Sequence, residues 1–165
     1  MARKGEKYNE IMQEVVMRNL LIKRDVVVED QRESNLRKVL NYGHTIGHAI
    51  EKLSNFDLLH GEAIAIGIAV EAFFAYKAGI MPEKDYLEQK KTLEEFGLVT
   101  MIPEEIPTKD ILEMMRLDKK ARDAEPEFSL CSKNGQYAIF ENGQIAKRFS
   151  KEDLEKWIEE YKRHS

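Results

Sequence analysis

The segment from His60 to Ala78 limits what this chain can fold into more than any other. Alanine, isoleucine, valine and phenylalanine occupy nearly every face of a 3.6-residue period, and a helix that is apolar all round is a buried one. The pattern predicts a central helix from about His60 to Ala78, with Gly79 at its C′ position. Its apolar run, Ala63 to Tyr76, is broken by Gly67 and Glu71 and falls short of the roughly 18 residues a membrane span needs. The other segments must then wrap this helix.

Those segments are mostly helical in pattern. Tyr8 to Leu21 carries Ile11, Val15, Met17, Leu20 and Leu21 at helical spacing. Ile22 to Val28 is short and β-branched, and its state stays open. Asp30, with Glu33 three residues on, reads as the N-cap of a helix running through Leu36, Val39, Leu40, Ile46 and Ile50 to about Leu53. Gly43 and Gly47 interrupt it, at a cost of about 1 kcal/mol each relative to alanine. Close approach of another backbone or of a ligand is the expected reason. Ser54 to Asp57 reads as a loop, Pro82 to Phe96 as a helix stopped by Gly97, and Pro103 to Pro107 as a connector. Thr108 is expected to cap a helix bearing Ile111, Leu112, Met114 and Met115.

After Asp118 the character changes. Phe128 to Cys131, Gln136 to Phe140 and Ile145 to Phe149 are strand-like, with the turn pairs Asn134-Gly135 and Asn142-Gly143 between them. Ser150, with Asp153 three residues on, opens a last helix carrying Leu154, Trp157, Ile158 and Tyr161. The expected fold is a single, mainly α domain over residues 1–165 with a small antiparallel β-meander near the C-terminus.

Charge and cysteine content narrow the chemistry. The net charge of −4 gives no electrostatic case for a nucleic-acid partner. Cys131 is the only cysteine, which excludes a disulfide framework and a thiolate cage, so a metal must be held by His, Asp or Glu. The opening Met-Ala-Arg-Lys-Gly-Glu-Lys has no apolar signal-peptide core, and the expected setting is cytoplasmic, away from membranes.

Three of the four histidines, His44, His48 and His60, fall within 17 residues, the fourth being His164 in the tail. His44 and His48 are four apart and share a helix face, and His60 opens the next helix. Imidazoles on adjacent helices can converge on zinc or a similar ion. They can equally be capping or core histidines that satisfy backbone groups, and spacing alone leaves both readings open. Arg37, Asn41, His44 and His48, three or four residues apart in succession, would form one polar stripe suited to an anionic, polyoxygenated ligand, or else a solvated face. Lys119, Lys120 and Lys23 are candidate anion contacts. Glu62 and Glu51 each read either as an orienting partner for a histidine or as an ordinary helix carboxylate. No GxGxxG is present.

The stretch Leu40-Asn41-Tyr42-Gly43-His44-Thr45-Ile46-Gly47-His48-Ala49-Ile50-Glu51 resembles the L-N-x-G-H-T-x-G-H-A-x-E block of 3-dehydroquinate synthases. His60-Gly61-Glu62-Ala63 onward resembles their H-G-E-A block, Asp118-Lys119-Lys120 their D-K-K, and Lys23 to Arg37 their lead-in. Order and spacing agree from about Lys23 to Lys120. The resemblance implies conversion of 3-deoxy-D-arabino-heptulosonate 7-phosphate to 3-dehydroquinate in the shikimate pathway, with NAD and a zinc or cobalt ion. It implies His44 and His60 as metal ligands, and Lys23, Arg37, Asn41, His48 and Lys119 as substrate contacts, with His48 serving proton transfer or holding substrate oxygens. It also implies a homodimer, and an N-terminal NAD-binding domain that supplies a third, glutamate ligand and is absent here. The chain is thus expected to be a fragment or isolated C-terminal domain that binds metal weakly and is inactive alone. A related sugar-phosphate cyclase, a non-catalytic module that kept the fold, and a hydrolytic zinc site closed by Glu51 or Glu62 are the alternatives. Asn35, where a glycine is common, and the glycine-free stretch after Lys120 depart from the family pattern.

Overall fold

The structure, a computed structural model, describes residues 2–120 and 126–164. Its central helix is α3 (His60–Lys77), whose buried side includes Ala65, Ile66, Ala69, Val70, Phe73 and Phe74. Around it pack α2 (His44–Leu53), α4 (Glu83–Glu95) and α6 (Lys151–His164), while α5 (Thr108–Lys120) lies against α2 and α6. The core joins Ile46 and Ile50 of α2 to Phe74, Ile111, Phe128, Trp157, Ile158 and Tyr161. Gly79 and Gly97 adopt positive φ after α3 and α4, as their C-terminal stop positions require. No helix of the described residues is long and apolar enough to cross a membrane.

The first helix, α1 (Ala2–Glu29), continues straight through the β-branched stretch Ile22 to Val28, settling the state that pattern left open. It touches the rest of the fold mainly through the segment that follows it. Tyr8, Ile11, Val16, Met17, Leu20 and Ile22 therefore remain exposed along it.

The expected single helix from Asp30 to Leu53 does not form. A 3-10 helix covers Leu36–Asn41, the chain turns at Tyr42 and Gly43, and α2 starts only at His44. Two carboxylates take the amide protons that a continuous helix would have used. Asp30 is not the N-cap of a long helix; it accepts the backbone N–H groups of Ser34 (2.9 Å), Asn35 (2.8 Å) and Arg37 (3.1 Å). Glu71, fully buried in α3, accepts those of Gly43 (2.8 Å) and Ile46 (3.1 Å). Gly43 itself sits at φ +80°, a conformation costly for any residue with a Cβ.

The amides of Asn35, Arg37 and Ser34 hold the Asp30 carboxyl well below the usual carboxylate range. A group whose folded pKa is depressed stabilises the fold above its unfolded value, about 3.9, and loses that contribution as pH falls toward the folded value. Asp30→Asn is therefore expected to lower the thermal midpoint at pH 7, with the gap to wild type narrowing steadily below about pH 4. A gap that is equal at pH 7 and pH 3 would count against this role.

Glycines 43, 47 and 67 explain how closely α2 meets α3. A Cβ on Gly47 would lie 2.8 Å from the Ile64 side chain and 3.0 Å from the Ala63 carbonyl. One on Gly67 would run into the Gly43 carbonyl oxygen and lie 2.7 Å from the Gly47 nitrogen. The close approach served by Gly43 and Gly47 is thus that of another backbone.

The strands near the C-terminus are short and antiparallel, but they form two separate ladders rather than one meander. β1 (Phe128–Ser129) pairs with β4 (Ala146–Lys147), and β2 (Cys131–Lys133) pairs with β3 (Gln136–Tyr137) through the turn at Asn134-Gly135. Around Asn142-Gly143 the chain makes a 3-10 turn over Glu141–Gly143 that carries it away from β3. Asn35 fastens this turn to the elbow before α2, donating to the Gly143 carbonyl (2.8 Å) and accepting from the Ile145 amide (3.0 Å). A glycine there could make neither bond. Ser150 caps α6 as expected, its Oγ accepting the Asp153 amide at 3.0 Å. Thr108 is not a cap: it is already helical, and its hydroxyl donates to the Glu159 carboxylate instead.

Candidate metal centre

The turn at Gly43 sends α2 off so that His44 and His48 point toward the start of α3, where His60 sits. Ring centroids of His44, His48 and His60 lie 5.2, 5.6 and 5.8 Å apart, pair by pair. One nitrogen from each ring lies within 4.8 Å of the other two. Ligands on a single zinc at about 2.1 Å stand some 3.4 Å apart, so modest ring rotation brings the three into range. His44 and His48 are half-buried and His60 is exposed, which leaves one side of the triad open.

For His44 and His60, the neighbours of the ring decide which nitrogen carries the proton. His44 Nδ1 lies 3.1 Å from the Tyr42 carbonyl oxygen. A carbonyl only accepts, so Nδ1 carries the proton and Nε2 keeps its lone pair. His60 Nδ1 lies 3.3 and 3.4 Å from the two oxygens of Glu51, which assigns its proton the same way. Two imidazoles thus present basic Nε2 atoms, each backed by an oxygen acceptor, the usual arrangement for metal-binding histidines. This donor set fits zinc or cobalt.

Of the two acidic residues with double readings, Glu62 proves to be the ordinary one. Its carboxylate accepts the Leu59 amide at 2.8 Å and closes a cap on α3. Glu51 is the one that reaches a histidine. Its place three residues after His48, on the face that His44 and His48 share, was the signal available in the sequence.

The remaining site candidates lie elsewhere or are otherwise engaged. The polar stripe does not survive: Arg37 and Asn41 belong to the 3-10 helix, where residues four apart are turned about 120° from each other. Arg37 Nη1 donates to the Gln31 carbonyl (3.2 Å), and Asn41 Nδ2 donates to Glu33 (3.2 Å). Lys23 is exposed on α1, without a hydrogen bond or ion pair among the described residues. Lys119 and Lys120 end α5, and their side chains lie outside the described residues.

Among the described residues, the closely packed glycines offer no cradle for the pyrophosphate of NAD. Gly43, Gly47 and Gly67 are pressed between α2 and α3 instead.

Comparison with known proteins follows the same lines. Residues 2–121 match the family model described as 3-dehydroquinate synthase C-terminal. The 3-dehydroquinate synthase of Rippkaea orientalis is 35% identical over 132 residues, 79% of this chain and 36% of the relative. That of Thermodesulfovibrio yellowstonii is 38% identical over 156 residues, 94% of this chain and 42% of the relative. The chain therefore spans little more than a third of the length of the curated relatives it matches. Among solved structures, 2-deoxy-scyllo-inosose synthase, complexed with carbaglucose-6-phosphate, NAD+ and Co2+, superposes with a TM-score of 0.74 at 30% identity, over 84% of this chain and 38% of that one. The 2-epi-5-epi-valiolone synthase of Streptomyces hygroscopicus, with NAD+ and Zn2+ bound, shares the fold at a TM-score of 0.70 and 16% identity, over 90% of this chain and 38% of that one. On the family match across most of its length, the chain belongs to the 3-dehydroquinate synthase C-terminal family.

Proposed function

We propose that this chain supplies the metal- and substrate-binding part of a 3-dehydroquinate synthase, converting 3-deoxy-D-arabino-heptulosonate 7-phosphate to 3-dehydroquinate with loss of phosphate. The convergence of three imidazoles at the open edge between α2 and α3 carries the reading. His44 and His60 would hold the ion through a ring nitrogen each. When bound, it would polarise the substrate's hydroxyl and neighbouring carbonyl. His48, beside both ligands, meets the substrate's oxygens and moves a proton there. Arg37 exchanges the Gln31 carbonyl for a two-pronged hold on phosphate or carboxylate. Asn41, Lys23 and Lys119 complete the polar contacts.

The reading pairs this chain with a nucleotide-binding portion, in the same polypeptide or another, because the chain covers only 36% of the Rippkaea orientalis relative. The exposed apolar side of α1 suits burial against that portion or against a second copy in a homodimer. The setting is cytoplasmic and the pathway that of shikimate. The second reading, a related cyclase acting on a hexose phosphate, draws on the 30% identity to 2-deoxy-scyllo-inosose synthase.

Calorimetric titration of zinc or cobalt into the chain tests the metal site. One ion per chain is expected, with His44→Ala and His60→Ala each weakening binding by more than the roughly 100-fold ceiling typical of an outer-shell partner. Turnover is expected only on adding NAD and a nucleotide-binding portion from a relative. Phosphate released from the heptulosonate rather than from a hexose 6-phosphate selects the first reading. Metal binding indifferent to both substitutions would overturn it.

A further inference from the structure

We infer that Glu51 is the positioning residue of this centre, holding the His60 imidazole so that its Nε2 turns into the triad; the inference rests on the metal reading above. His60 is the first residue of α3, and 56% of its side chain is exposed. An imidazole so placed samples several rotamers and both neutral tautomers when nothing holds it. Glu51 is its opposite. Its side chain is only 18% exposed, and it stands in the last turn of α2. Its backbone carbonyl is pinned by the Ser54 hydroxyl (2.9 Å) and the Phe56 amide (3.1 Å).

Residues 44, 48 and 51 fall on one face of α2, so the helix that carries two of the imidazoles also carries the anchor for the third. The nearly equal distances of 3.3 and 3.4 Å set His60 Nδ1 between both oxygens of Glu51. A carboxylate there fixes the ring's tautomer and leaves the lone pair of the opposite nitrogen free. Glu62 cannot share this task, because its oxygen closes the cap at Leu59.

The full chain answers the question in two measurements. Zinc titration of Glu51→Ala, with Glu51→Met as the companion that keeps the stem's packing, is expected to show roughly 10- to 100-fold weaker binding. Glu51→Gln retains an acceptor oxygen, so it is expected to recover most of that loss, to within about tenfold of wild type. In the metal-free protein, long-range 15N–1H spectra should show His60 as the Nδ1–H tautomer in wild type and Glu51→Gln, and as a mixture in Glu51→Ala or Glu51→Met. Wild-type affinity with an unchanged His60 tautomer in the Ala and Met variants would overturn the inference while leaving the metal reading intact. A Glu51→Gln variant as weak as His60→Ala would make Glu51 a direct ligand and equally overturn it. If His44→Ala and His60→Ala leave the titration unchanged, the metal reading fails instead, and the tautomer spectra alone decide whether Glu51 orients His60.

Discussion

Gly67→Ala is expected to remove about 3 kcal/mol or more of folding stability, at the upper end for added core volume. The new methyl would be driven into the Gly43 carbonyl oxygen and close on the Gly47 nitrogen, both backbone atoms that cannot rotate aside. Relief requires α2 to move off α3, which opens the packing of Ile46 and Ile50 beneath it. It would also pull His44 and His48 away from His60. Urea unfolding followed by helical circular dichroism measures the loss. Gly61→Ala is the control: it lies in the first turn of α3, and a Cβ there meets nothing within 4 Å. That variant should stay within about 0.5 kcal/mol of wild type or gain slightly, since alanine is the better helix former. A midpoint for Gly67→Ala no lower than that of Gly61→Ala would refute the tight crossing.

Glu71→Leu should be nearly as damaging, by about 3 kcal/mol, because it strands two buried amides at roughly 1–3 kcal/mol each. The carboxylate meets the N–H groups of Gly43 and Ile46 from inside the core, where water cannot replace it. Its loss should loosen the first turn of α2 specifically. Hydrogen exchange is expected to accelerate at Gly43 and Ile46 well before the core of α3, and zinc affinity should fall because His44 sits in that turn. Glu71→Gln keeps one acceptor and turns a donor toward the other amide, so it should fall between wild type and leucine. Uniform exchange across α2 and α3 in Glu71→Leu would show that the carboxylate does not set the start of α2.

The central helix was the most legible part of the sequence, because a segment apolar on every face has only one stable environment. Its end at Gly79, the stop of α4 at Gly97 and the cap of α6 at Ser150 were legible for a related reason. Each depends on contacts within one or two turns. The break between Asn41 and His44 was not legible. Leu36, Val39, Leu40, Ile46 and Ile50 keep helical spacing across it, and the groups that end the pattern lie far away in sequence or compete locally in a way periodicity does not register. Glu71 is 25 residues from Ile46, and Asp30 draws three amides from the next seven residues. The Asn134-Gly135 hairpin formed as expected, but the pairing beyond Asn142-Gly143 was not legible for a similar reason. Asn142-Gly143 is a sound turn signal, but the partner of β4 is β1, brought there partly by Asn35 from the far end of the chain.

The three histidines show both sides of this division. The sequence by itself determined that His44 and His48 share a face, that His60 opens the helix to be packed against them, and that glycines 43 and 47 mark a close approach. Only the tertiary structure decided that the approach is backbone on backbone, that Arg37 and Asn41 leave the stripe, and that Glu51 rather than Glu62 meets His60. The reason is range. Helical spacing places side chains within about two turns of each other. The distance between imidazoles on different helices is set by how closely those helices cross, and here three glycines and one buried carboxylate set it.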